Sequence, residues 1–376
     1  MRILNRVNIV IVFIFSLFLL EAAQAETKTI YRSDGSVFVE LSYDKDGKKA
    51  GEKIIYGPDK SIQAVSTYRD DVKEGPETVF WSDGSVQARK NYKNGQLEGV
   101  VQYHESNRLV SEQSYKNGQR DGLTKFYYPD GVLRNELLYS NGKKEGICKF
   151  YDSKGTLYLA QSYVNDLREG STKYYQGFTP VKLESEFMEK LRLTEGYAAG
   201  QLIKEVSYVA DKQEGIAKYY SNLGKVIYEE MFKDNLLNGS CRNYYPDGKL
   251  KSEEPYVNGQ RNGVAKYYYP DGKLNSEVSF AKDKRQGIAR TYLPDGVLDA
   301  EEPYQDDLLQ GEKRSYYPNG KLKEVKPYTK DNTNGLWRFY YENGKVRAET
   351  LYENGQTIKN WVCYDENGKV TNDVTY

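Results

Sequence analysis

The chain has very little histidine, cysteine or tryptophan, and these shortages exclude several kinds of chemistry. Of 376 residues, one is histidine, three are cysteine and three are tryptophan. His104 stands in an ordinary strand-like segment, so a histidine-based triad or a site with several histidine metal ligands is not expected. Cys148, Cys241 and Cys363 form no CxxC pair and have no nearby base. We therefore expect a protein that is not an enzyme, with no catalytic residues, cofactor or metal.

The chain also has no excess of either charge. Lysine plus arginine and aspartate plus glutamate number 54 each, so no net field favours nucleic acid, and no nucleic-acid partner is expected. Apolar residues are only 38% of the chain, yet 36 residues are tyrosine. A sequence this poor in aliphatic residues predicts a thin sheet with amphipathic tyrosines instead of a thick core.

The first 25 residues are typical of a secretory signal peptide. Arg2 and Arg6 precede an apolar run over residues 7–20, and Ala23-Gln24-Ala25 follows. A run of about fourteen residues is too short to span a bilayer. We expect cleavage before Glu26 and export of the mature chain to the periplasm or the extracellular space.

A turn motif recurs every 24 residues. Tyr-Tyr-Pro-Asp-Gly ends at Gly248, and its counterparts end at Gly272 and Gly296. Some first-turn positions match the motif less closely than others. The full series is Gly35, Lys60, Gly84, Asn107, Gly131, Gly155, Gly177, Gly200, Gly224, Gly248, Gly272, Gly296, Gly320, Gly344 and Gly368. A second glycine follows twelve of them by about fifteen residues, as at Gly263, so a regular unit has two turns.

The segments between these turns predict strands. They are about six to eight residues long, are rich in tyrosine, valine and threonine, and are bounded by Pro-Asp-Gly or Asn-Gly. For residues 26–376 we therefore predict an all-β fold, an elongated, twisted antiparallel ribbon of about fifteen stacked β-hairpins. Its stability is expected to be a sum of contacts between neighbouring units.

One unit, at about residues 177–200, is irregular. It lacks the second glycine, and Leu183, Phe187 and Leu191 recur at intervals of four. A decayed repeat is the favoured interpretation. A short helix, a bulged hairpin, or a functional insertion or hinge are the alternatives.

Two aromatic rows accompany the first turn. Tyrosines four residues before the glycine, such as Tyr244, are expected opposite the apolar residue two after it, such as Leu250, in a thin core. Aromatics one residue later point to the opposite face. These later aromatics are the candidate partner-binding residues: Trp81, Tyr128, Tyr245, Tyr269, Tyr317 and Tyr341.

A basic row and an acidic row also follow the period. Arg242 lies six residues before a first-turn glycine, and Glu253 lies five after it. We expect solvated cross-strand pairs, each contributing a few tenths of a kcal/mol.

The segment from Tyr256 to Leu274 carries Tyr-x-Asn-Gly, a further glycine, and Tyr-Tyr-Pro-Asp-Gly-Lys-Leu. This pattern resembles the variant MORN repeat of bacterial proteins, including YwqK-family antitoxins, over roughly residues 28 to 376. The resemblance implies stacked hairpins that contact a protein or a membrane surface, with no catalytic residues. Because those antitoxins are pictured inside the cell and this chain begins with a signal peptide, a periplasmic immunity role is the corresponding expectation.

Three functions follow from these observations. The first is a non-enzymatic scaffold that binds another protein, including an antitoxin or immunity type. The second is a cell-wall polysaccharide binder, because Tyr-Tyr-x-Asp-Gly loosely resembles choline- and glucan-binding repeats. The third is a membrane-surface binder.

Overall fold

The computed structural model describes residues 26–177 and 196–374, and within these ranges the chain consists of strands and turns without a helix. The predicted signal peptide, residues 1–25, lies outside the described residues. The chain divides into two compact units, one up to Arg120 and one from Asp121.

The first unit contains β1 (Glu26–Tyr31), β2 (Val37–Tyr43), β3 (Lys49–Tyr56), β4 (Ile62–Arg69), β5 (Val72–Phe80), β6 (Val86–Lys93), β7 (Gln96–Leu97), β8 (Gly99–Glu105) and β9 (Arg108–Lys116).

β10 (Gln119–Tyr127) begins in the first unit and ends in the second, which also contains β11 (Leu133–Ser140), β12 (Lys143–Lys144), β13 (Gly146–Tyr151), β14 (Leu157–Val164), β15 (Leu167–Tyr175), β16 (Leu202–Val209), β17 (Lys212–Gln213), β18 (Gly215–Tyr220), β19 (Val226–Lys233), β20 (Leu236–Leu237), β21 (Gly239–Tyr244), β22 (Leu250–Val257), β23 (Gln260–Arg261), β24 (Gly263–Tyr268), β25 (Leu274–Ala281), β26 (Lys284–Arg285), β27 (Gly287–Tyr292), β28 (Leu298–Gln305), β29 (Leu308–Leu309), β30 (Gly311–Tyr316), β31 (Leu322–Thr329), β32 (Asn332–Thr333), β33 (Gly335–Tyr340), β34 (Val346–Glu353), β35 (Gln356–Thr357), β36 (Trp361–Tyr364) and β37 (Val370–Val374).

Every repeat contributes two strands to an antiparallel sheet. β21 pairs with β22, and β22 pairs with both β23 and β24. The two-residue strand β23 and the longer β24 are one strand interrupted by a bulge. The predicted all-β fold of stacked antiparallel hairpins is confirmed.

The first turn of most repeats is closed by a pair of backbone hydrogen bonds. The Tyr245 amide donates to the Lys249 carbonyl at 2.8 Å, and the Gly248 amide donates to the Tyr245 carbonyl at 2.8 Å. Gly248 has a φ of +93°, which favours glycine, and Asp247 Oδ1 accepts from the Lys249 amide at 3.0 Å. The Pro-Asp-Gly sequence therefore meets the local requirements of this turn.

The second turn is a two-residue hairpin followed by a bulge. Asn258 and Gly259 have φ values of 49° and 83°, as a type I′ turn requires. After it, the Asn262 amide donates to the Pro255 carbonyl at 2.9 Å. A Cβ on Gly263 would lie 3.0 Å from Pro255 Cγ, so proline and glycine face each other across this bulge.

The two described ends of the irregular unit are joined by the hydrogen bonds of a first turn. The Gln176 amide donates to the Gln201 carbonyl at 2.8 Å, and the Gly200 amide donates to the Gln176 carbonyl at 2.7 Å, the bonds that close the turn at Tyr245. Gln176 and Gln201 are therefore bonded as Tyr245 and Lys249 are, and both Gly177 and Gly200 lie between them in the sequence. The described residues accordingly form fourteen hairpins. Leu183, Phe187 and Leu191, for which a short helix or a bulged hairpin was considered, lie outside the described residues.

The core is a single layer in which large rings cover small side chains. Seven residues before the first-turn glycine, Cys148, Ala217 and Ala265 are 0% exposed and Cys241 is 3% exposed. Tyr219, five residues before its glycine, is 1% exposed and packs its ring 5.5 Å from that of Tyr228.

The prediction that Tyr244 and its counterparts form this core is wrong. Tyr244 does lie opposite Leu250, as predicted, but it is half-buried, and the fully buried positions lie one and three residues earlier. Tyr244 shares the face of Arg242, since alternate residues of a strand point the same way.

Candidate functional site

The candidate partner-binding residues stand at the entrance to the first turn, on a margin of the sheet that we call the first-turn margin. Tyr245 Oη donates a hydrogen bond of 2.7 Å to the carbonyl of Tyr268 in the next repeat. The same bond is made by Tyr128 to Tyr151 at 2.9 Å, Tyr269 to Tyr292 at 2.7 Å, Tyr317 to Tyr340 at 2.7 Å and Tyr341 to Tyr364 at 2.8 Å. In the first unit, Trp81 Nε1 donates to the His104 carbonyl at 3.3 Å.

A second side chain of the same turn also reaches the next repeat. Lys249 Nζ donates to the Pro270 carbonyl at 3.0 Å, and Lys273 Nζ donates to the Pro294 carbonyl at 2.8 Å. Both contacts join turns that are one repeat apart. Sequence reasoning missed this role, although lysine directly after Pro-Asp-Gly was the available signal.

These contacts leave part of each aromatic side chain accessible. Trp81 is 41% exposed, and the five tyrosines are half-buried. The phenol oxygens of the tyrosines are engaged by backbone carbonyls, so the rings are what a partner can contact.

Two of the candidates come together in an open cleft of about 450 Å³. Tyr245 and Tyr269 line it with Tyr267, Lys251 and Asn275. Further lining residues are Asn243, Ser252, Glu254 and Tyr268. Burial, together with the nearby Glu254 carboxylate, raises the pKa of Tyr267. The cleft therefore offers aromatic rings beside amide groups, the Lys251 side chain and the Glu254 carboxylate.

The row continues beyond this cleft with an interruption. The equivalent position in the next repeat is Leu293, whose turn is closed by the same backbone bonds. Tyr317 and Tyr341 follow in the two repeats after it.

The opposite face carries a repeating network of tyrosine, glutamate and arginine. Tyr244 Oη donates to Glu229 at 2.7 Å, and Arg242 forms an ion pair with Glu253 at 2.8 Å. The equivalent ion pairs are Arg290 with Glu301 at 2.9 Å and Arg338 with Glu349 at 3.0 Å, so the predicted cross-strand pairing is confirmed at these positions. Because acid and base alternate, this face has no basic stripe, and each exposed pair contributes little to stability.

The described residues provide no evident centre for metal or redox chemistry. No group of three or more histidine, cysteine, aspartate or glutamate side chains in residues 26–177 and 196–374 is arranged to hold a metal ion. Cys241 lies in the packed core, where burial raises the pKa of its thiol to about 11. A thiol this hard to ionise is a poor nucleophile. Within the same residues, no helix is long and apolar enough to cross a membrane.

Comparison with known families agrees with the repeat architecture. The MORN repeat variant matches residues 73–94, 120–141, 213–234, 237–258, 261–282, 285–306, 309–330 and 333–354. The MORN repeat itself matches residues 138–157. The chain is thus a repeat protein that carries many variant MORN repeats. No curated protein matches it.

Solved structures with similarity to the chain include complexes of TcdB2 with TccC3 and a Tc holotoxin pore. The crystal structure of TcdB2-TccC3-Cdc42 is 11% identical, with a TM-score of 0.13, over 90% of this chain and 23% of that chain. The crystal structure of TcdB2-TccC3 is 12% identical, with a TM-score of 0.17, over 90% and 23%. The Photorhabdus luminescens Tc holotoxin pore is 12% identical, with a TM-score of 0.14, over 90% and 22%. The chain thus spans less than a quarter of those chains, and superpositions this poor support no function.

Proposed function

We propose that this chain is a non-enzymatic scaffold that binds another protein along its first-turn margin. The observation that carries the proposal is the pair of half-buried tyrosines in successive repeats, Tyr245 with Tyr269 and again Tyr317 with Tyr341, together with the open cleft between Tyr245 and Tyr269. Aromatic residues that offer a large rigid area beside polar groups are typical of binding hot spots.

The inter-repeat hydrogen bonds support this use of the margin. Each tyrosine is held by a bond to the next repeat, so a partner meets rings whose positions are already fixed. Pre-organised contacts cost less conformational entropy on binding than mobile ones.

The test is capture of a partner by the mature chain from an envelope extract of its own cells. The triple variant Tyr245→Ala, Tyr269→Ala and Tyr317→Ala is expected to lose the captured protein while remaining folded. The matched control changes Leu236, Val257 and Leu308 to alanine, because these side chains are 49%, 45% and 40% exposed beside the second turns. Equal capture by both triplets would refute the first-turn margin as the binding surface.

Export is part of the proposal. The charged start, apolar run and Ala-Gln-Ala site support cleavage before Glu26. N-terminal sequencing of the protein from fractionated cells tests it, and recovery of a chain that keeps Met1 from the cytoplasm would refute export.

An antitoxin or immunity-type role is the narrower form of the proposal, and it is supported by the resemblance to YwqK-family antitoxins. The captured partner, produced alone in the periplasm, is expected to stop growth, and co-production of the mature chain is expected to restore it. A partner with no effect on growth would leave the scaffold function without the immunity role.

A further inference from the structure

The first-turn tyrosines have a spacing that the sheet determines. Tyr245 follows β21 and Tyr269 follows β24, and β22 lies between these strands in the sheet. Two strand spacings amount to about 9.6 Å. A ligand that contacts successive tyrosines must therefore present equivalent groups about 9.6 Å apart.

Among regular peptide conformations, polyproline II meets this requirement best. It has three residues per turn and rises about 3.1 Å per residue, so every third residue recurs on one face about 9.3 Å further along. A β-strand repeats its face about every 6.7 Å. An α-helix repeats its face every 5.4 Å or so, or about 10.8 Å over two turns.

From this agreement we infer that the margin between Tyr245 and Tyr269 binds a proline-rich polyproline II segment of a partner protein, with one turn of the ligand per repeat. This inference rests on the proposed protein-binding function and names the partner's conformation.

The chemistry of the cleft fits such a ligand. Proline rings pack against aromatic side chains, and the cleft is lined by Tyr245, Tyr267 and Tyr269. A polyproline II segment makes no internal hydrogen bonds, so its carbonyls accept from donors in the groove. Lys251 and Asn275 place an ammonium and an amide at the cleft.

The phenols of Tyr245 and Tyr269 are already hydrogen-bonded within the protein. The Oη atoms of Tyr245 and Tyr269 donate to backbone carbonyls at 2.7 Å, so what remains for a ligand is mainly ring surface. Ring surface packs against proline, and it also stacks on the apolar face of a sugar. A glycan is the alternative occupant that the test includes.

The experiment titrates the mature chain, residues 26–376, with dodecaproline, using calorimetry. A peptide of the same length with glycine at two of every three positions is the flexible control. Twelve prolines extend about 37 Å, close to four repeats. Saturable binding of dodecaproline, at least about tenfold tighter than the control, is expected, equivalent to about 1.4 kcal/mol.

Two double variants separate binding from stability. Tyr245→Phe with Tyr269→Phe keeps the rings and removes the inter-repeat bonds, so affinity is expected to stay within about twofold while the melting temperature falls. Tyr245→Ala with Tyr269→Ala is expected to weaken dodecaproline binding about tenfold or more at a temperature where circular dichroism shows both variants folded. Parallel loss of affinity in both variants would show a structural role and overturn the inference.

A gain-of-function variant gives an independent test. Leu293→Tyr restores the row between Tyr269 and Tyr317, so dodecaproline affinity is expected to rise. Hexaproline spans two repeats, so it can bind to Tyr245 and Tyr269 without reaching residue 293. Its affinity is therefore expected to rise less. An equal gain for both peptides would contradict a ligand aligned along the repeats.

The remaining outcomes also decide the matter. Absence of dodecaproline binding would overturn the inference. So would binding of a β-1,4-linked N-acetylglucosamine hexamer instead of dodecaproline, if the Tyr245→Ala, Tyr269→Ala variant abolishes it. Partner capture that depends on the margin, without dodecaproline binding, would refute only the polyproline II ligand. Failure of both would refute the proposed function as well.

Discussion

Tyr245 donates a hydrogen bond of 2.7 Å from its phenol to the backbone carbonyl of Tyr268 in the next repeat. Tyr268 directly precedes Tyr269, the counterpart of Tyr245 in that repeat. Tyr269 and Tyr292 repeat this relationship at 2.7 Å. The stability of a repeat protein is approximately a sum of intrinsic terms and contacts between neighbours. These phenols therefore add a side-chain hydrogen bond between two repeats whose strands are already paired by backbone hydrogen bonds.

Tyr245→Phe is expected to lower the free energy of unfolding by about 0.5–1.5 kcal/mol, because it removes one hydrogen bond and keeps the ring. Denaturant unfolding followed by circular dichroism measures the change. Tyr31→Phe is the control, since Tyr31 is 61% exposed, and its effect is expected to stay within about 0.5 kcal/mol. Equal effects of the two variants would show that the bond to Tyr268 adds nothing.

Leu293→Tyr is expected to raise the stability by about 0.5–1.5 kcal/mol. Leu293 holds the position of Tyr269 and Tyr317 in its own repeat, and the Tyr316 carbonyl stands where the acceptor is required. Thermal unfolding measures the change. A lower melting temperature would show that the junction after Leu293 differs from its neighbours.

Ala265→Leu is expected to cost about 1–3 kcal/mol, because Ala265 is 0% exposed and the larger side chain overfills the single-layer core. Ala289→Leu is the matched control, since Ala289 holds the same position one repeat later and is only half-buried. Both free energies come from denaturant unfolding. If Ala289→Leu costs as much as Ala265→Leu, packing around this position does not differ between the two repeats.

Stability is expected to fall as pH rises from about 10 to about 12. Burial, followed by hydrogen bonds to Glu136 and Glu229, raises the pKa of Tyr151 and Tyr244 from 10.0 to about 12. A raised pKa in the folded state favours the protonated form, so this stabilisation is complete below pH 10 and is lost as pH passes through 12. Ultraviolet titration of the folded protein is expected to show tyrosines such as Tyr151 and Tyr244 that ionise only near pH 12. Ionisation of every tyrosine near pH 10 in the folded protein would contradict these environments.

The sequence predicted the strands and turns because their requirements are local. Pro-Asp-Gly and Asn-Gly specify two different turns, and their 24-residue period specifies stacked hairpins. It did not identify the inner face, since tyrosines occupy both faces. The small residues at Ala217, Cys241 and Ala265 were the better signal, because small side chains let neighbouring rings pack over them.

Two further features depended on contacts between distant residues. Gly177 and Gly200 are separated by nearly one repeat, so spacing alone assigned them to two turns, whereas Gln176 and Gln201, which flank both in the sequence, are joined by the hydrogen bonds of a first turn. The inter-repeat bond of Tyr245 was also not predicted. It depends on how one hairpin stacks on the next, which a repeating pattern does not specify.

Site-specific photocrosslinking tests the protein-binding margin most directly. A benzophenone side chain replaces Lys251, which is exposed at the cleft and is not one of the bonded tyrosines, or Val257, which is 45% exposed beside a second turn. The account predicts that the captured partner crosslinks from position 251 and not from position 257. Crosslinking from position 257 alone, or equally from both positions, would contradict it.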